Sequence, residues 1–337
     1  MRGAFFTGAR ELEIREVATP EPGPGEIRIK VDSGMICGTD LHILAGEYFA
    51  KPPVIICHEF SGYVDKIGAG VANPVKIGDL VTIEPHRYCR VCKFCKTGRE
   101  HLCLDKRSYG SYYPGGFAEY CVLPENTVYP VPAGVSAREA ALAEVLSCCI
   151  RGIDRSGVRT GDTVVIMGCS SVGMIFIKLT RRNGAAKIIV SEPSGERREA
   201  ALKYGADFAV APREVKALVD RETDGLGADV AIECSGVPVV GEQAVELAGR
   251  GASILIFGVA PPGKKIAVEP NKIFMKELSI LGSTINPYTH YRAVEMLPSL
   301  KIGDLVTHVF PLDKANEAIE TARKGIGLKI CVEPNAK

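Results

Sequence analysis

Two rhythms divide this chain. Up to about residue 135, apolar and polar residues alternate in short runs, as in Glu26-Ile27-Arg28-Ile29-Lys30-Val31 and Phe60-Ser61-Gly62-Tyr63-Val64. Alternation sends successive side chains to opposite faces, so each run predicts a half-buried β-strand. Turn-forming clusters separate the runs: Pro22-Gly23-Pro24-Gly25, Gly78-Asp79 and Pro114-Gly115-Gly116. Together they predict an irregular all-β domain. After Ser136 the spacing turns helical. Ala137 to Asp154 predicts a helix, with Ser136 as its N-cap and Glu139 three residues on. Apolar runs then alternate with amphipathic segments. The runs are Thr163–Met167, Lys187–Val190, Val230–Glu233, Ser253–Phe257 and Leu278–Leu281. Strands apolar on both faces need cover on both faces, which predicts α/β architecture with a doubly wound parallel sheet. From about Asn286 onward the pattern gives one or two helices plus strands, a segment able to return to the first domain. The expected partition is 1–147, 148–286 and 287–337.

Composition narrows the partners. A length of 337 residues predicts two domains. Lys and Arg number 41 against 40 Asp and Glu, with no basic block, which argues against nucleic acid as the main partner. No apolar run reaches membrane-spanning length, and the start MRGAFFTGAREL lacks a secretory apolar region. Twelve cysteines without an export signal read as thiols and metal ligands, which places the expected compartment in the cytoplasm.

Four of those cysteines, Cys89, Cys92, Cys95 and Cys103, fall in one short loop. Four thiolates so close can surround a zinc ion tetrahedrally, in a closed, structural site. A dispersed set, Cys37, His58-Glu59 and Glu144, can build an open one. A mixed thiolate, imidazole and carboxylate set leaves a labile position, and a zinc ion there acts as a Lewis acid on an alcohol oxygen.

Gly168-Cys169-Ser170-Ser171-Val172-Gly173 follows one predicted strand and opens a helix predicted over Met174–Asn183. This is nearly the G-x-G-x-x-G turn that seats a dinucleotide pyrophosphate on a helix N-terminus. The middle glycine is Ser170, whose hydroxyl can donate to a phosphate oxygen. Glu192 ends the next strand, where a carboxylate accepts from the ribose hydroxyls and repels a 2′-phosphate. The expected cofactor is therefore NAD rather than NADP, although Arg197 nearby is the residue type that meets a 2′-phosphate.

At these residues the chain resembles the zinc-dependent medium-chain dehydrogenases along nearly its whole length. The matching pieces are CGTDLH (37–42), HEFSG (58–62), CRVCKFCKTGREHLC (89–103), GGFAEY (115–120), the turn at 168–173 and VTHVFPLDKANEAIETARKGIGLKI (306–330). The last resembles sorbitol dehydrogenases, and CGTDLHI resembles L-threonine 3-dehydrogenases. The resemblance implies a GroES-like catalytic domain with a structural-zinc lobe near 87–104, a Rossmann NAD-binding domain, and an active site in the cleft between them. It implies two zinc ions per subunit, the catalytic one held by Cys37, His58 and either Glu59 or Glu144. Thr39 matches the hydroxyl that takes the alcohol proton, and His42 the imidazole that passes it on. Val172 is implied to contact the cofactor, with Phe257-Gly258-Val259 and Ser283-Thr284-Ile285 flanking the nicotinamide. A homodimer or homotetramer is implied, with strand Leu278–Leu281 pairing across a dimer. Two departures stand out. Cys57 replaces the usual glycine before the zinc histidine, as a spare ligand or an oxidation liability. Ile285-Asn286 stands where animal sorbitol dehydrogenases carry an Arg-Tyr pair, which counts against sorbitol itself.

The leading expectation is zinc-dependent, NAD-linked oxidation of a small secondary alcohol or polyol to a ketone. The nearest rival is L-threonine 3-dehydrogenase. Rivals of other classes are a zinc-free enoyl or quinone reductase and a non-enzymatic zinc-binding interaction protein.

Overall fold

A computed structural model describes residues 1–336. The chain divides into two compact units: Met1–Ser147 with Pro287–Lys337, and Cys148–Asn286.

The first unit is built on β1 (Glu26–Met35). Its Ile27, Ile29 and Val31 are fully buried, as alternation predicts. β1 continues four residues beyond the predicted Val31. It pairs antiparallel with β2 (Glu59–Ile67), which places Met35 opposite Glu59. β3 (Leu80–Ile83), β4 (Tyr120–Pro124) and β5 (Val128–Pro130) complete this part of the sheet. A short helix, α1 (Gly38–Leu44), follows β1. Phe60, Ile83, Phe117 and Leu123 join the β1 residues in one core.

The helix predicted over 137–154 is two. One turn spans Ala137–Ala140, and α2 spans Ala143–Ser156. The chain tightens between them, because the Leu142 N–H bonds back only three residues, to Glu139 O. Ser136 caps as expected, its Oγ accepting from the Glu139 N–H at 3.2 Å. The Glu139 carboxylate does not return to Ser136; it accepts from Ile302 N–H at 2.7 Å.

The second unit holds six parallel strands: β6 (Thr163–Met167), β7 (Lys187–Ser191), β8 (Phe208–Val210), β9 (Ala228–Glu233), β10 (Ala248–Ile256) and β11 (Ser279–Gly282). Their order is β8-β7-β6-β9-β10-β11, reversing direction between β6 and β9. β8 has half-buried residues at one edge of the sheet, and its three residues carry no pattern that sequence could read. α3 (Ser171–Arg182) begins three residues earlier than predicted, inside the turn itself.

The remaining chain forms α4 (His290–Leu300), β12 (Val306–Pro311), α5 (Ala315–Arg323) and β13 (Lys329–Glu333). β12 and β13 run parallel, and β13 pairs antiparallel with β1, Cys331 opposite Met35. The last strand thus belongs to the first unit's sheet. Among the described residues no helix is long and apolar enough to cross a membrane.

Candidate metal centres and cofactor turn

Strand register assembles the open site. Glu59, Met35 and Cys331 lie in one row across β2, β1 and β13. Cys37 follows β1 and His58 precedes β2, so the ends of two paired strands bring them together. The donor atoms of Cys37, His58 and Glu59 all lie within 4.8 Å of one another. Bonds of about 2.0–2.3 Å to a common ion fit that spacing. Lys329, two residues before Cys331, puts its Nζ 2.6 Å from Glu59 Oε2. Glu59 is fully buried, and its Oε1 finds no hydrogen-bond partner among the described residues. An orphaned buried carboxylate oxygen beside a thiol and an imidazole is what a zinc site without its ion presents.

Charge in this cluster is tightly balanced. Burial pushes His58 down, yet Cys37, Asp40 and Glu144 together hold it well above the usual imidazole range. Burial also works against the Lys329 ammonium, and Glu59, Cys37 and Glu144 outweigh it. Asp40 is fully buried; its Oδ2 accepts from the Cys37 N–H at 2.8 Å, and its Oδ1 stands 3.8 Å from His58 Nδ1. Burial raises its pKa, opposed by His58. The Asp40 carboxylate therefore holds the backbone of one metal-ligand candidate, Cys37, and sets its charge near a second, His58.

Glu144 is buried at the start of α2. It acts electrostatically on both His58 and Lys329 but is not in the 4.8 Å donor group. Cys57 is outside that group too. Its backbone is left-handed, φ +81°, the conformation a glycine would adopt without strain. Its Sγ lies 3.3 Å from Glu59 O, and burial pushes the thiol's pKa well up. Thr39 Oγ1 stands 3.7 Å from Cys37 Sγ. His42 Nδ1 pairs with Glu47 Oε2 at 2.7 Å, with 28% of its side chain exposed.

Three residues at this site escaped the sequence reading. Asp40 sits inside the quoted CGTDLH motif and carried a signal: an acid three residues after a helix-opening cysteine. Lys329 sits inside the quoted stretch 306–330 but carried no signal of its own there. His86 carried none either; it is buried, its Nδ1 stands 2.8 Å from Ser108 Oγ, and its Nε2 has no partner among the described residues. Burial, then Lys106, His58 and His290, hold it well below the usual imidazole range.

The closed set is also assembled. The sulfurs of Cys89, Cys92, Cys95 and Cys103 lie within 4.8 Å of one another. Backbone N–H groups point at them: Cys92 N–H at 3.3 Å from Cys89 Sγ, and Asp105 N–H at 3.4 Å from Cys103 Sγ. Such donors favour thiolates, and those of Cys95 and Leu104 pull Cys92 down to about 6. Cys89, Cys92, Cys95 and Cys103 form no disulfide, so these four are open to a tetrahedral zinc ion.

In the second unit, Gly168 leaves β6 with φ +93°. A Cβ on Gly173 would fall 2.2 Å from Gly168 O, so only glycine lets α3 approach the strand end this closely. Ser170 is the N-cap of α3, but its side chain makes no capping bond. Ser171 and Val172 open the helix. Glu192 is buried; its Oε2 accepts from the Cys169 N–H at 2.7 Å and its Oε1 from the Ser194 N–H at 2.9 Å. It thus ties the turn to β7. The Arg197 charge reaches the same turn, acting on Cys169. Gly258 packs against the Gly236 amide and the Glu233 carboxylate, where a Cβ would clash. Val259 is 63% exposed. Ser283 and Thr284 follow β11, and Ile285 is left-handed, φ +45°.

Residues 23–133 match the family model of the alcohol dehydrogenase GroES-like domain, and residues 171–300 match that of the zinc-binding dehydrogenases. An L-threonine 3-dehydrogenase of Pyrococcus horikoshii is 38% identical over 93% of this chain and 92% of that protein. The chain belongs to the zinc-dependent medium-chain dehydrogenases. It is an NAD(P)-dependent zinc alcohol dehydrogenase by that membership. A sorbitol dehydrogenase of Halalkalibacterium halodurans is 32% identical to this dehydrogenase over 97% of each chain. Among solved structures, a zinc-binding dehydrogenase from Sinorhizobium meliloti bound to NADP superposes with a TM-score of 0.94 at 34% identity, covering 99% of each chain.

Proposed function

We propose that this dehydrogenase oxidises a small secondary alcohol or polyol to a ketone, using NAD. The observation that carries the reading is the convergence of Cys37, His58 and Glu59 within 4.8 Å. In it Cys37, His58 and Glu59 would hold the catalytic zinc, with Glu144 acting on the site as a charge, and the four-cysteine loop would hold a structural one. Zinc at the open site supplies Lewis acidity that favours the deprotonated alcohol near neutral pH. Thr39, at the edge of the cluster, accepts the alcohol proton, and His42 hands it to solvent. The pairing of His42 with Glu47 fixes its ring for that role. Asp40 holds the Cys37 backbone in place and puts its charge beside the His58 ring. Lys329 neutralises Glu59, so a neutral alcohol meets a site without excess negative charge. A nicotinamide bound at the second unit's turn would supply the hydride acceptor.

For the cofactor, the Glu192 carboxylate favours NAD, with Gly168, Ser170, Ser171, Val172 and Gly173 around the pyrophosphate and Gly258, Val259, Ser283, Thr284 and Ile285 beside the nicotinamide. Arg197, together with the NADP in the Sinorhizobium meliloti relative, makes NADP the alternative to test. A second substrate reading, oxidation of L-threonine, rests on the 38% identity to the Pyrococcus horikoshii relative. Steady-state rates with NAD and with NADP, on polyols, butane-2,3-diol, butan-2-ol and L-threonine, decide among them. Turnover confined to threonine replaces the leading reading with the second. Full activity after zinc is chelated away overturns both.

A further inference from the structure

The strands that bracket the four-cysteine loop form a two-stranded ribbon, His86–Arg87 antiparallel with Arg107–Ser108. His86 stands opposite Ser108 and turns inward, its Nδ1 2.8 Å from Ser108 Oγ. Alternation then sends Arg87 and Arg107, directly opposite each other, to the other face. Both guanidinium groups lie over aromatic rings: Arg87 5.0 Å from the centroid of Tyr113, and Arg107 4.5 Å from that of Tyr112. The two rings meet edge to face, 5.3 Å apart, and Tyr113 also packs on the buried Tyr109. A surface cavity of about 190 Å³ opens beside them, lined by Arg87, Tyr88, Cys89, Asp105, Arg107 and Tyr113.

Like charges directly opposite on a ribbon repel, so this pairing is unfavourable unless something sits between them. Asp105 answers one arginine, its Oδ1 accepting from Arg107 Nε at 2.9 Å, and it is the one carboxylate among the described residues of the cavity wall. The surroundings stay positive. Residues 87–107 hold seven Lys and Arg against two acids, spread among the cysteines so that they form no block along the sequence. That excess of five outweighs the net charge of about −2 on a zinc ion held by four thiolates. The rings fix both guanidinium groups in advance, so little side-chain freedom is left to lose on binding. Planar guanidinium forks suit the oxygens of a phosphate group, each offering paired N–H donors. The cavity is several times the ~30 Å³ share of one water, room for a phosphate with a small organic substituent.

We propose that Arg87 and Arg107 bind a small phosphate-bearing anion, and that the anion closes the zinc loop at its neck. Arg87 stands two residues before Cys89 and Arg107 four after Cys103, so one phosphate held by both arginines ties the ends of the loop together. Cys89 lines the same cavity, which sets the bound anion beside the first sulfur of the four-cysteine set. The site is independent of the alcohol dehydrogenase reading, since it uses no residue of the open metal site or of the dinucleotide turn.

The test is calorimetry on the zinc-loaded enzyme saturated with NADH, which keeps the dinucleotide turn occupied, at constant ionic strength set with chloride. The probes are inorganic phosphate and glycerol phosphate. Saturable binding with a Kd of about 10 mM or tighter is expected. Arg87→Gln and Arg107→Gln are each expected to weaken it about tenfold or more, and Arg87→Lys, which keeps the charge but not the fork, weakens it less. Arg10→Gln, at an exposed arginine outside the lobe, leaves it unchanged. Zinc content by mass spectrometry and the melting temperature confirm that each variant is folded and loaded. Tighter binding of glycerol phosphate than of inorganic phosphate assigns the site to a phosphate ester, and the reverse assigns it to the free ion. In Cys37→Ser, where the loop alone retains zinc, phosphate at ten times its Kd is expected to slow zinc transfer to a chelator about tenfold. No saturable phosphate binding in wild type, or affinities within about twofold of wild type in both folded glutamine variants, overturns the proposal. An unchanged rate of zinc transfer overturns the closing of the neck. An enzyme that takes up no NADH counts against the cofactor reading alone, and the arginine variants then still decide this site.

Discussion

At the scale of single residues, the open site is a balance between one buried cation and several buried anions. Lys329 is the cation, 2.6 Å from Glu59. Removing one partner of a buried ion pair leaves the other uncompensated, at a cost of about 3–5 kcal/mol. Lys329→Met is expected to cost that much in the zinc-free protein, measured by denaturant unfolding, and clearly less with zinc bound, because the metal then takes over the charge of Glu59. Equal losses in both forms would show that Glu59 never meets the metal. Cys37→Ser removes a ligand outright. Zinc per subunit, counted by mass spectrometry, is expected to fall from about two to about one, with oxidation of every alcohol lost. A count that stays at about two places the catalytic ion elsewhere.

At the scale of elements, close approach does the positioning. The turn after β6 works because α3 begins almost on top of Gly168. In Gly173→Ala the added methyl meets Gly168 O at 2.2 Å, and the turn must open. The expected outcome is about 1–3 kcal/mol of lost stability and weaker NADH binding, read by nucleotide fluorescence titration. Undiminished affinity would mean that the pyrophosphate does not sit on this turn. This scale also explains what sequence could show. The four-cysteine loop and the dinucleotide turn were legible because each is local: every member falls within a few residues and the spacing carries the geometry. Cys37 and His58 were legible as types, and the register of β1 with β2 then joined them. Lys329 lies in the quoted stretch 306–330, which marked the family but gave this lysine no role; the pairing of β13 with β1, Cys331 opposite Met35, carries it to Glu59. The break between Ala140 and Ala143 was hidden for a related reason. Both pieces follow one helical period, and the single shortened bond at Leu142 leaves the apolar spacing intact.

At the scale of the whole molecule, buried imidazoles couple stability to acidity. His290 is held near 3 by burial alone, against about 6.5 when unfolded. Tyr129 and its partner Glu84, and His86, are the titratable groups around it. Because the folded pKa is the lower one, the unfolded chain takes the proton first. The stability that depends on a neutral ring is whole above about 6.5 and is lost as pH falls toward 3. Wild type is therefore expected to lose up to about 1.4 kcal/mol more than His290→Phe for each pH unit below 6.5. Paired urea titrations across that range measure the difference, and parallel curves would show that His290 is protonated in the native state.

The row Glu59–Met35–Cys331 has a bearing on how the protein is made. The first unit takes its last strand from the final few residues of the chain, after the whole second unit has been synthesised. Until β13 emerges from the ribosome, Glu59 lacks the ammonium that the completed sheet sets beside it, so this ion pair can form only after the second unit has been made.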